Sequence, residues 1–213
     1  SVTTLKCLHN KQFWVSDFIK LLIPFHICVM LWVISSPGTD FFAVELVIYV
    51  VVKWIELVES GCRDEEPYIY LCFLAVYCVT LKLSTEVIIS LVFWPVYLLF
   101  KKRRYLVMTV SFLIGLGIAI PYLIRNVIIS GYLLYPLPEL DLFQVDWKMP
   151  FYQVIADKKE IIEWARETYE THADKIKDWV PIWYEKIGII WQMIFILMLI
   201  SIGMSIIYSY YFI

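Results

Sequence analysis

The stretch IRNVIISGYLLYPLPELDLFQVDWKMP, residues 124–150, decides how the rest of the chain is read. It follows an apolar run, residues 105–124, long enough to cross a bilayer at about 1.5 Å of rise per residue. Within two residues the character changes. Arg125 and Asn126 stand where the chain would be leaving hydrocarbon, followed by Ser130-Gly131, two tyrosines, two prolines and an acidic loop carrying Trp147. A cation at a membrane boundary either snorkels to lipid phosphates or grips a phosphorylated ligand, because a guanidinium fork matches phosphate oxygens. Residue type alone leaves both readings open.

Composition points the same way. Hydrophobic residues make up 61% and aromatics 17% of the 213 residues, and the mean hydropathy of +0.73 lies outside the range of soluble domains. The densest basic run, Lys101-Lys102-Arg103-Arg104, is wedged between two apolar spans and reads as a cytoplasmic anchor, so nucleic-acid binding is not expected. Five cysteines without CxxC or Cys/His metal spacing predict no disulfide framework; Cys28, Cys72 and Cys78 sit inside apolar runs. The chain starts with Ser and stops inside an apolar run at Ile213, which suggests a piece of a longer protein.

The expected fold is all-α: a polytopic transmembrane bundle of about six crossings, near residues 18–36, 41–58, 68–82, 86–100, 105–124 and 187–213. Residues 136–186 form a polar extracytoplasmic loop with an amphipathic helix near 157–180. The run 68–100 is the hard case. As one helix it would measure about 50 Å against a hydrocarbon core of about 30 Å. It must break at its polar cluster Thr80, Lys82, Ser84, Thr85 and Glu86, giving two short crossings or a re-entrant hairpin. With Lys101–Arg104 inside, residues 35–40, 80–86 and 125 onward all fall on the outer face. On the second crossing Lys53 and Glu56 can pair three residues apart, and Glu45 is an intramembrane carboxylate.

RNVIISGYLLYP at 125–136, DWKMP at 146–150, EWAR at 163–166, SSPGTD at 35–40 and TLKLS at 80–84 together resemble a group of large bacterial polytopic membrane proteins. These look like glycosyltransferases of the GT-C architecture, which use polyprenyl-phosphate-linked sugars. The resemblance implies an enzyme of the bacterial inner (plasma) membrane, its site facing the extracytoplasmic side, moving a sugar onto a glycan, lipid or protein acceptor. It also implies that Lys82 and Arg125 face the donor phosphate. In GT-C enzymes the main catalytic aspartate usually lies in the first outer loop, and no long outer loop precedes Asp40 here.

Displacing a polyprenyl phosphate needs a carboxylate base for the acceptor hydroxyl, a cation or divalent metal for the departing phosphate, and a groove for the lipid. Asp40 and Glu86 are the candidate catalytic carboxylates. Lys82, Arg125, Asn126, Tyr132, Tyr135, Asp146, Trp147 and Arg166 are the candidate substrate-binding residues. Each has a structural reading beside it: Lys82 and Glu86 can pair with each other, and Tyr132 and Tyr135 can anchor at the interface. The alternative function is a transport, flippase-like or polymerase component of surface-polysaccharide export, for which Glu45 is the candidate residue.

Overall fold

The computed structural model describes residues 39–166 and 174–186 throughout, with residues 15–17, 19–20, 23–24, 27–28, 168, 170–171, 188–189, 192 and 196. Among these the chain is all-helical, without strands. Two of the helical stretches, Leu83–Lys101 and Tyr105–Ser130, are long and apolar enough to cross a membrane. The expected bundle of about six crossings is therefore carried, among the described residues, by two qualifying helices. The crossings expected at 18–36 and 187–213 fall mostly outside the described residues.

The chain divides into two compact units, Ser1–Arg125 and Asn126–Ile213. In the first, α1 (Thr39–Glu59) and α2 (Glu65–Leu81) are joined by a short polar turn and pack against each other. Their contact is a core of Val50, Leu71, Ala75 and Cys78, completed by Ile88 of the next stretch. α1 falls short of a plain apolar span because it carries Glu45, Lys53, Glu56 and Glu59; α2 is only 17 residues long. The i,i+3 pair forms, with Lys53 Nζ 2.7 Å from Glu56 Oε2, and Glu56 also holds Lys20.

The long apolar run 68–100 breaks at Lys82, which is extended at φ −149° and ψ 116°. Beyond it, Leu83–Val92 is a ten-residue 3₁₀ helix, and α3 (Phe93–Lys101) continues as α-helix. The 3₁₀ geometry rises about 2.0 Å per residue instead of 1.5 Å, so these 19 residues measure about 33 Å rather than about 28 Å. The 3₁₀ winding thereby brings this short stretch to about the thickness of a hydrocarbon core. Pro95, which has no N–H to give, lies two residues after the change from 3₁₀ to α-helix at Phe93.

α4 (Tyr105–Ser130) runs on through Pro121, and Ser130 is its one buried residue. Gly115 and Gly117 have nothing within 4 Å of where a Cβ would stand, so their small size is not used for packing among the described residues. Successive helices of this unit run antiparallel. Aromatic rings from α1, α2 and α3 meet at one level: Trp54 lies 4.9 Å from Tyr68, and Tyr68 lies 6.4 Å from Trp94. The turn after α1 and the turn before α4 consequently share one end of the bundle, and the start of α1 and the Lys82 break share the other.

In the second unit, residues 131–150 form a folded loop with a short 3₁₀ turn at Pro138–Leu140, followed by α5 (Phe151–Ala165) and α6 (Ile176–Lys186). The single amphipathic helix expected near 157–180 is thus two helices. α5 stops because Arg166 N–H bonds Ile162 O at 3.0 Å and Thr168 N–H reaches back to Glu163 O at 2.8 Å. That six-to-one closure ends a helix whatever apolar spacing follows, and Thr168 is buried in it.

The end of the first unit that holds Lys101–Arg104 is locked by Glu65. Its carboxylate is buried and takes both Lys102 and Arg104, while Lys102 also donates to Arg63 O at 3.2 Å. Lys102 first, and Arg104 after it, hold the Glu65 carboxyl down to about 2, against an ordinary 4.5. A folded value below the unfolded one contributes stability that is fully present above about pH 4.5 and lost as pH falls toward about 2. Glu65→Gln should therefore lower stability at neutral pH by about 1–2 kcal/mol, below the cost of breaking a fully buried pair because both cations remain half in solvent. Thermal unfolding followed by tryptophan fluorescence should show the gap between Glu65→Gln and the parent closing as pH is lowered from 4.5 to about 2; a gap unchanged over that range refutes the clamp.

Candidate functional site

In the first unit the candidate residues lie at the end opposite the Glu65 clamp. Asp40 lies in the first turn of α1. Lys82 is half-buried at the break. Its N–H donates to Cys78 O at 3.0 Å, and its carbonyl accepts from Thr85 N at 3.1 Å and Thr85 Oγ1 at 2.8 Å. Thr80 Oγ1 bonds Tyr77 O at 2.7 Å. The hydroxyls of Thr80 and Thr85 therefore add acceptor-satisfying bonds at the break that apolar side chains cannot supply. Glu86, one turn into the 3₁₀ helix, is exposed. Arg125 is exposed near the far end of α4.

Between these two ends runs an apolar groove of about 640 Å³, walled by Ile69, Phe73 and Val76 of α2, by Ile89, Val92 and Val96 before and within α3, and by Met108, Phe112 and Leu116 of α4. Thr109 and Ser111 bring the only hydroxyls to its lining. Such a groove suits a hydrocarbon chain and offers nothing to a polar ligand. A second, smaller hollow of about 540 Å³ is lined by Phe42, Glu45, Leu46, Tyr49, Tyr77 and Leu81; Glu45 itself is half-buried.

The candidate residues of the second unit mostly build the 131–150 loop. Asn126 Nδ2 donates to Leu133 O at 3.3 Å, and Asn126 O accepts from Ser130 Oγ at 2.8 Å. Ser130 Oγ in turn accepts from Tyr132 N at 3.2 Å, and Ser130 O accepts from Met149 N at 3.0 Å. Tyr132 is buried at 1% exposure, its hydroxyl 3.3 Å from Met149 O and its ring 5.0 Å beneath Lys148 Nζ. Lys148 also holds the Asp141 carboxylate and Phe143 O. Burial, and after it the hydrogen bond to Asp157, push the Tyr135 hydroxyl up to about 12, so it stays a donor at neutral pH. Lys158 pairs with Glu139, pulling that exposed carboxyl below its ordinary range.

Two residues of this set face outward: Asp146 and Trp147 sit at the tip of the turn closed by Lys148 N to Val145 O at 3.1 Å. Arg166 lies 5.2 Å over the Trp179 ring and donates to Asp174 O at 3.4 Å, tying the end of α5 to α6. Among the described residues no three His, Cys, Asp or Glu side chains form a metal-binding group. Glu65 and the apolar groove were not singled out from the sequence. The signal for Glu65 was present in Asp64-Glu65-Glu66 and Lys101–Arg104, two complementary charge runs that flank one long apolar stretch. The groove had none, because its lining residues read only as ordinary span.

The whole chain, residues 1–213, matches the family model described as Domain of unknown function (DUF8201), and the protein belongs to that family. No curated protein and no solved structure matches it.

Gly131 tests how much the loop depends on its closure. At φ +80° it occupies the left-handed region, and a Cβ there would stand 2.8 Å from Lys148 Cγ and 3.0 Å from Lys148 Cα. Gly131→Ala should cost about 1–3 kcal/mol locally. It should speed trypsin cleavage after Lys148, whose side chain is only 15% exposed in the closed loop; an unchanged cleavage rate refutes this packing.

Proposed function

We propose that this member of the family is part of an integral-membrane glycosyltransferase resembling the GT-C type. It transfers a sugar from a polyprenyl-phosphate donor to a glycan, lipid or protein acceptor on the extracytoplasmic face of a bacterial plasma membrane. In this reading residues 41–58, 68–82, 86–100 and 105–124 are four crossings, with one more before them at 18–36 and one after α6 at 187–213. The observation that carries the reading is the geometry of the first unit. An apolar groove of lipid-chain character runs between α2, α3 and α4, and the cations Lys82 and Arg125 belong to the end of that bundle away from the Glu65 clamp.

The chemistry follows from those residues. The isoprenoid chain lies in the groove, and Lys82 and Arg125 neutralise the phosphate. A carboxylate, Asp40 or Glu86, takes the proton from the acceptor hydroxyl as its oxygen bonds the sugar carbon. The carbon–oxygen bond to the phosphate breaks and leaves the polyprenyl phosphate as product. Asp146 and Trp147, exposed at their turn, offer a hydrogen bond and a stacking face to a sugar. The transport reading rests instead on half-buried Glu45 beside its aromatic hollow.

Membranes carrying the full-length protein, given radiolabelled polyprenyl-phosphate sugars and a crude glycan acceptor, separate the two. Arg125→Ala and Lys82→Ala should each lower label transfer by about 10²–10³-fold at unchanged expression, the usual cost of one transition-state donor. Asp40→Asn and Glu86→Gln decide which carboxylate is the base. Transfer that survives all four substitutions overturns the assignment of these residues; no transfer from any donor by well-expressed protein overturns the enzyme and makes Glu45→Gln the variant to assay for export.

A further inference from the structure

Ser130 closes α4, a 26-residue helix about 39 Å long, which exceeds a hydrocarbon core of about 30 Å. In the membrane reading above, on which this inference rests, Ser130 therefore stands at headgroup depth. The loop then returns to the same level. Met149 N–H bonds Ser130 O at 3.0 Å, and Pro150, the next residue, caps the N-terminus of α5. The start of α5 is thus pinned beside the end of a membrane-length helix by a backbone bond.

What the chain displays there is apolar and aromatic. Trp147 is 59% exposed, Phe151 57%, Tyr152 76% and Ile155 44%. At about 100° per residue, Phe151, Ile155 and Ile162 fall within about 40° of one another on α5, with Gln153, Glu160 and Trp164 on the far side. Internal packing does not need this stripe. α5 meets its own loop through an adjoining face, where Val154 is fully buried and Asp157 takes the Tyr135 hydroxyl, while Lys158, about 20° from Phe151 at the edge of the stripe, takes Glu139. Lys159, 60% exposed, flanks the stripe with a stem long enough to carry its charge to lipid phosphates.

We infer that the turn at residues 145–148 and the Phe151–Ile155–Ile162 face of α5 lie in the membrane–water interface, in direct contact with lipid. Trp147 and Tyr152 suit that position because each joins an apolar ring to a polar group that stays wet. Phe151, Ile155 and Ile162 enter the acyl boundary, so α5 lies along the membrane surface instead of standing away from it. The lipid-contacting face holds the Asp146-Trp147 turn at the depth of lipid headgroups.

The test uses the full chain in lipid nanodiscs, cysteine-free and carrying one nitroxide at Phe151→Cys, Ile155→Cys, Glu160→Cys or, in mid-α4, Leu113→Cys. Collision rates with oxygen and with a water-soluble nickel chelate report lipid against water. Expected are oxygen-dominated rates at 113, 151 and 155, and a reversal to nickel-dominated rates at 160. Nickel-dominated rates at 151 and 155 with oxygen-dominated rates at 113 overturn this inference and leave the membrane reading standing. Loss of oxygen access at 113 overturns the membrane reading, and the inference with it. Shielding of 151 and 155 from both reagents overturns the inference in favour of a protein cover. With the native cysteines kept, quenching of tryptophan emission by lipids brominated near the headgroup should lose amplitude in Trp147→Phe; equal quenching in both proteins also overturns it.

Discussion

The first unit depends on one constraint: an apolar run of more than thirty residues has to turn back without leaving bare backbone groups in an apolar setting. Lys82 is where it does so. Its extended conformation strands its carbonyl, and Thr85 answers with both backbone N–H and hydroxyl. Replacing Thr85 with an aliphatic residue would remove the hydroxyl and leave the carbonyl only the backbone N–H, at a cost of about 1 kcal/mol. The short α2 that results packs against α1, and the stretch after the break makes up its length by winding as a 3₁₀ helix.

The opposite end is held by charge. Glu65 is buried with two cations supplied from the turn before α4, so the two turns at that end cannot drift apart without uncovering a carboxylate. With one end clamped and the other set by the break, the walls of the apolar groove between α2, α3 and α4 are positioned without any polar side chain inside it beyond Thr109 and Ser111. The second unit solves a different problem. Its loop leaves its leucines half-buried or exposed, and instead closes on Tyr132, around which Ser130, Lys148 and Met149 arrange their hydrogen bonds.

Much of this was legible from residue types. The all-helical class follows from long apolar runs whose backbone must bond within its own segment. Lys53 and Glu56, three apart on a helix, pair as their spacing requires. The polar cluster Thr80–Glu86 marks the place where the run breaks, because only hydroxyls and a backbone turn can satisfy one another there. The candidate residues themselves were harder to read. Tyr132 and Tyr135, next to a span end, look the same in sequence whether they face a ligand or close a loop. Their hydroxyls are bonded to Met149 O and Asp157, partners 17 and 22 residues away. Helical spacing carried across residues 166–175 also misled, since a backbone closure at Thr168 ends α5 irrespective of side-chain period.

The sequence by itself determined the helical class and the segregation of charge into short polar segments between apolar runs, because both follow from local composition and the cost of unpaired backbone in an apolar medium. Tertiary structure decided which charges meet and which tyrosines are spent. Glu65 finds Lys102 and Arg104 only when α2 and α3 run side by side, 37 and 39 residues apart in the chain. The 3₁₀ winding of Leu83–Val92 likewise depends on packing against α1 and α2, since its β-branched and apolar residues state no preference for that helix over another. Contacts between residues distant in sequence carry no local signature, and in this protein they define the groove, the clamp and the closed loop.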